Sequence, residues 1–83
     1  MSENFYNRLI SYAIFLINKE FNSLRLKKIS RDDVNLFFTD DAAGIQIAVN
    51  VRDSKKKILN QRFIKISMEI QEKFSMPGFR VIC

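Results

Sequence analysis

Histidine is missing from this sequence, and so is tryptophan. Without histidine the chain lacks both the commonest general base and the commonest metal-binding side chain. A single cysteine, Cys83, rules out an internal disulfide, and with no histidine beside it no ordinary zinc site can be assembled. One thiol also favours a reducing compartment. Gly44 and Gly78 are the only glycines, too few for a phosphate-cradling loop or a nucleophile elbow. The apolar run YAIFLI at residues 12–17 falls far short of the ~20 residues that a membrane span requires, and no charged segment of a signal peptide leads into it. An enzyme would have to work through Asp, Glu, Lys or Tyr alone. The expectation is a cytoplasmic, non-enzymatic protein with no catalytic residues, no cofactor, no metal and no membrane association.

What is present describes a small basic globular chain. Its 83 residues suit one domain, and 47% hydrophobic with 28% charged residues is ordinary folded composition. Eight phenylalanines point to a core of Phe, Ile and Leu. Fourteen Lys and Arg against nine Asp and Glu give a net charge of +5, which attracts a polyanion or an acidic protein surface. A chain this short has little core to spare, so dimerisation or docking on a larger partner is a ready way to bury more surface. The abundance of Ile, Asn, Lys and Phe fits an AT-rich genome, including those of phages and other mobile elements, where short inhibitors are frequent.

Residues 3–24 read as an amphipathic helix. Phe5, Leu9, Tyr12, Ala13, Leu16, Ile17, Phe21 and Leu24 share a broad apolar face, opposite Asn4, Asn7, Arg8, Ser11, Asn18 and Asn22. Phe15 projects from the polar stripe. Glu20 interrupts the apolar face and is expected to reach Arg25 or Lys27. Residues 33–39 and 44–52 alternate with period two: Val34, Leu36 and Phe38, then Ile45, Ile47, Val49 and Val51, point inward. DDAAG makes the hairpin connection, with Gly44 able to adopt positive φ and Asp40-Asp41 a solvated turn. Asp53 or Ser54 would cap a second helix ending near residue 75, its core stripe being Leu59, Phe63, Ile66, Ile70 and Phe74. Glu69 stands four residues before Lys73, in register for an ion pair. Pro77 and Gly78 would stop this helix, and residues 79–83 read as a terminal strand, with Cys83 a residue of it.

The order α-β-β-α-β predicts a two-layer α+β fold: a three-stranded mixed sheet with both helices on one face. The last strand should run parallel to the second, with the first strand in the middle. The opposite face, bearing Asn35, Phe37, Gln46, Asn50, Arg52 and Arg80, is left uncovered. This order of elements resembles that of type II KH domains and of small bacterial alkaline-shock-type domains. The glycine-bearing loop with which a KH domain clamps a nucleic-acid backbone is missing here, so no residue role carries over.

Two functions follow. The first is a protein-interaction module, a homodimer or an adaptor or inhibitor docking on a larger complex, through the surplus apolar residues Phe15, Ile64 and Met68. The alternative is a nucleic-acid-binding domain preferring RNA or single strands. Lys27, Lys28, Arg31, Arg52, Lys55, Lys56 and Lys57 would hold phosphates, and Phe37 would stack a base.

Overall fold

The computed structural model describes residues 2–39, 44–51 and 56–83, with the side chains of residues 2–4 excepted. Helix α1 spans Ser2–Ser23, a single 3-10 turn follows at Arg31–Asp33, and then come β1 (Val34–Phe38), β2 (Ile45–Val49), α2 (Lys56–Phe74) and β3 (Arg80–Ile82). The strands form a mixed sheet in the order β1-β2-β3. β1 and β2 are antiparallel, with Leu36 opposite Ile47, and β2 and β3 are parallel, with Ile47 beside Val81. Both helices cover one face of this sheet, as the periodicity predicts.

One expectation about the sheet is corrected: β2, not β1, is the middle strand. The burial pattern gives the reason. β2 alternates fully buried with half-buried positions along its length, whereas β1 is buried only at Val34 and half-buried at Leu36. A strand flanked on both sides keeps even its outer-face residues partly covered. The crossover through α2 therefore returns the chain beside the strand it has just left.

The core joins both helices to one sheet face. Leu9, Ile17, Ile47, Leu59, Phe63, Ile70 and Phe79 are all but completely buried, and each contributes roughly 1.5–3 kcal/mol by leaving water. Ile10 joins them although the helical face drawn from the sequence omits it. Phe74 is only half-buried, at the end of the stripe, where its ring meets Phe5 and Tyr12. Phe38 points to the inner face yet remains 63% exposed at the end of β1, its ring edge-on to Tyr6.

Polar side chains hold the connections. Asn18, assigned by periodicity to the solvent stripe, donates to the carbonyl of Ile29 and accepts from its N–H, pinning the connector to α1. The Asp33 carboxylate accepts from the N–H and hydroxyl of Ser30, which closes the 3-10 turn and explains one of the paired aspartates. Glu20 pairs with Arg62 of α2 at 2.9 Å, rather than with Arg25 or Lys27. The nearer cations lie beyond the helix end, where the backbone has already turned away.

That turn is alike in both helices. Arg25 (φ 59°) and Ser75 (φ 54°) adopt the left-handed conformation, and Leu26 and Met76 donate back to the carbonyls of Phe21 and Gln71. These are Schellman caps with a side chain where glycine is usual. α2 thus stops at Phe74, before Pro77, and neither described glycine uses positive φ. Gly44 instead leaves room for the Thr39 hydroxyl, which a Cβ there would displace.

The edge of β3 is tied to α2 by three side chains. The Val81 N–H donates to Ser67 Oγ (2.9 Å), the Cys83 N–H to Asn60 Oδ1 (3.0 Å), and Gln71 Nε2 donates to the Phe79 carbonyl (2.7 Å). Ser67 in turn donates to the Phe63 carbonyl at 2.7 Å. The spacing works because four helical residues rise about 6 Å and two strand residues about 6.6 Å. Residues 71 and 67 therefore keep step with residues 79 and 81 running the other way.

Two substitutions on α2 and its cap should move stability in opposite directions in thermal melts. Ser67→Ala leaves the buried Val81 N–H without an acceptor and should cost about 1–3 kcal/mol. Ser75→Gly removes the strain of a side chain at positive φ and should add roughly 0.5–1 kcal/mol, or about 2–8 °C in Tm for a domain of this size.

Candidate interaction surfaces

Three adjoining surfaces carry the residues with chemistry to offer, meeting at Arg80, Ile82 and Cys83. The first lies between α2 and β3. Ile64 and Met68 are each 62% exposed on α2, and Ile82 is 36% exposed on β3. Together they line a groove of about 590 Å³ whose floor includes Ser67, Val81 and Cys83. Ile64 and Met68 were expected outside the core; Ile82, brought beside them by the parallel strand, was not anticipated. Nor were Asn60, Ser67 and Gln71. Their spacing of seven and four places them on one helical face, a signal that a search for apolar periodicity passes over.

Cys83 sits at the end of this groove, its Sγ 3.6 Å from the Lys56 carbonyl. Burial raises its thiol pKa above the usual 9.0, partly offset by the charge of Lys56. A thiol held protonated in this way is a poor nucleophile at neutral pH.

The second surface is an end of the molecule rich in positive charge. The parallel pairing of β2 with β3 puts the start of α2, the end of β2 and Cys83 at the same end, and the antiparallel hairpin brings the start of β1 there too. Lys27 and Lys28 line a cavity of about 300 Å³ there with Phe21, Asp33, Asn50 and Val51. Arg31 donates to the Val34 carbonyl at 3.3 Å. Lys56 and Lys57 open α2 with no acidic residue in its first turn. Five of the basic candidates thus gather at one end. Arg52 and Lys55 lie outside the described residues, as do Asp40, Asp41 and the proposed caps Asp53 and Ser54.

The third surface is the uncovered sheet face. Register aligns Phe37, Gln46 and Arg80 in one row and Asn35, Ala48 and Ile82 in the next. Phe37 is 50% exposed, as its outward position predicts. It does not stand among the lysines, however. It lies three residue steps along β1 from Val34 at the basic end, roughly 10 Å. Its row holds one cation, Arg80.

Phe15 belongs to none of these groups. It is 58% exposed on α1, stacked at 6.4 Å on Tyr12, with Lys19 Nζ 5.6 Å from its ring centre. It lies on the α1 flank of α2, away from Ile64 and Met68. The expected pairing of Glu69 with Lys73 is redirected to the same place. Glu69 accepts a 2.8 Å hydrogen bond from the Tyr12 hydroxyl, and Lys73 Nζ lies 5.0 Å from the Tyr12 ring centre. A tyrosine from the neighbouring helix satisfies both ends of an i,i+4 pair.

Among the described residues no three of His, Cys, Asp and Glu converge as metal ligands, and no described helix is long and apolar enough to cross a membrane. No family model matches the chain, and no curated protein or solved structure matches it. The resemblance to KH-type domains in the order of elements has no matched structure behind it.

The Tyr12–Glu69 contact gives a titration with a defined sign. The hydrogen bond to Glu69, then desolvation and the carboxylate's charge, raise the Tyr12 phenol above the usual 10.0. A raised folded-state value contributes stability below pH 10 that fades as pH climbs through it. NMR titration should show Tyr12 ionising above 10, and Glu69→Gln should bring it back toward the ordinary tyrosine range.

Proposed function

We propose that this protein is a non-enzymatic protein-interaction module that binds its partner in the groove between α2 and β3. The observation that carries this reading is the meeting of Ile64, Met68 and Ile82, three exposed apolar side chains from two elements, in one concavity. Exposed apolar residues scattered singly need no explanation, but a shared groove floored by satisfied polar groups is the form of a docking site. Asn60 and Gln71 hold its polar groups in place through their bonds to Cys83 and Phe79. An adaptor or inhibitor role in the cytoplasm agrees with the absence of histidine and with the single thiol.

Ile64→Lys and Met68→Lys should leave the melting temperature nearly unchanged, since both side chains lie in solvent. Each should abolish capture of a protein partner from native lysate, with or without nuclease. Retention of the same partner by both variants would remove the groove from consideration.

A second reading rests on the gathering of Lys27, Lys28, Arg31, Lys56 and Lys57 at one end, which suits phosphate contacts to RNA or a single strand. It requires binding that weakens steeply with salt and is lost in Lys56→Glu/Lys57→Glu. Binding that ignores both changes would exclude it. Phe37 contributes little to this reading, because its ring stands apart from that end.

A further inference from the structure

The two edges of the sheet are treated differently. β3 is sealed by Asn60, Ser67 and Gln71 of α2. Among the described residues β1 has no such cover. Thr39 N–H donates to the Gly44 carbonyl and Asn50 N–H to the Asp33 carbonyl, so the odd-numbered residues of β1 bond to β2 and the even-numbered ones face the free edge. Of these, Val34 has its carbonyl engaged by Arg31. The N–H and C=O groups of Leu36 and Phe38 have no partner among the described residues.

Natural edge strands are usually protected by lysine, proline, a bulge or a covering element. β1, with the sequence VNLFF, has no charge and no proline, and its last two residues are phenylalanines 50% and 63% exposed. We propose that β1 pairs antiparallel with β1 of a second copy of this chain, about a two-fold axis at Leu36, to make a continuous six-stranded sheet. The inference adds a second surface to the interaction-module reading and does not use the α2–β3 groove.

Three features select a second copy as the occupant. First, the axis at Leu36 lets Leu36 exchange both backbone bonds with its own copy and sets each Phe38 N–H against the second lone pair of the copy's Val34 carbonyl, the Val34 N–H being held by the Arg31 carbonyl. Second, the charge distribution favours this direction. Antiparallel pairing sets the basic end of each copy beside the other's hairpin end, where Glu72 and Lys73 close α2 with mixed charge; parallel pairing would press the two basic ends together. Third, the area is appropriate to a weak dimer. A Phe side chain presents roughly 150–250 Å², so the half-exposed rings of two copies offer on the order of 400 Å² before the ladder itself is counted. The rings alone fall short of the roughly 1,000 Å² of a stable interface, so the dimer depends on the ladder bonds and is weak and reversible. The dimer would keep both α2–β3 grooves open at its outer edges, one per copy.

Sedimentation equilibrium of the full chain across a wide concentration range, at low salt, tests this. The wild type should follow a reversible monomer–dimer equilibrium. Phe38→Lys, which puts a cation on the free edge beside the copy's Arg31, should weaken it by about tenfold or more with an unchanged melt. Ile64→Lys should leave it intact. The register has its own test in a Cys83→Ser background. Asn35→Cys mixed with Phe37→Cys should cross-link under mild oxidation, because a non-hydrogen-bonded antiparallel pair brings Cα atoms to about 4.5 Å, within disulfide range.

A wild type that stays monomeric throughout overturns the proposal, as does a dimer indifferent to Phe38→Lys or a mixture that does not cross-link. A dimer lost in Ile64→Lys but kept in Phe38→Lys overturns it as well, while placing self-association in the groove and so upholding the interaction-module reading. A monomer that still captures its partner through Ile64 separates the two claims in the same way.

Discussion

The hydroxyl of Ser67 holds this fold together at its weakest place. β3 is three residues long and, among the described residues, pairs only with the central strand, which it flanks opposite β1. A parallel pair this short gains few ladder bonds, so the strand needs a second source of backbone partners. Ser67 supplies one by accepting from Val81 while donating to Phe63, and Asn60 and Gln71 extend the same arrangement to either side. The helix thereby takes the place of a fourth strand. Once β3 is held, Val81 and Phe79 complete the core beneath it and β2 becomes the middle of the sheet.

This arrangement accounts for where the surface chemistry lies. With both helices on one face, the other face is uncovered, and most of the apolar residues that the core cannot accommodate appear beside β3 and along β1, with Phe15 apart on α1. Charge is sorted by the same topology. Two chain connections, α1–β1 and β2–α2, meet at one end, and Lys27, Lys28, Lys56 and Lys57 lie in or beside them. The protein is consequently polar along its length, basic at the connectors and mixed at the hairpin end, with its apolar groove at one flank.

Much of the architecture was legible because it follows from period alone. The alternation of Val34, Leu36 and Phe38 and of Ile45, Ile47 and Val49, and the four-three-four spacing on α2, state which side of each element must leave water. Ile64 and Met68 stood out for the same reason, as apolar residues in excess of a stripe already complete. Strand order could not be read this way, since β1 and β2 have the same alternation; only their flanking neighbours distinguish a middle from an edge. Helix ends were obscured for a different reason. Left-handed caps normally advertise themselves with glycine, and here Arg25 and Ser75 take that conformation. The polar latch of Asn60, Ser67 and Gln71 escaped notice because polar residues on a helix are ordinarily assigned to solvent.

Electrostatic partners show the division most plainly. Glu20 and Glu69 each had a cation within a helical turn or two, yet one pairs with Arg62 and the other with Tyr12, both across the helix–helix contact. The sequence by itself determined the elements, their buried faces and the absence of histidine-based chemistry, because these depend on composition and on the local geometry of a turn or a pleat. The tertiary structure alone decided which strand is central, which polar side chains seal the sheet edge, and which exposed residues share a surface. Those outcomes turn on groups far apart in the chain, where proximity is created by packing and no local period records it.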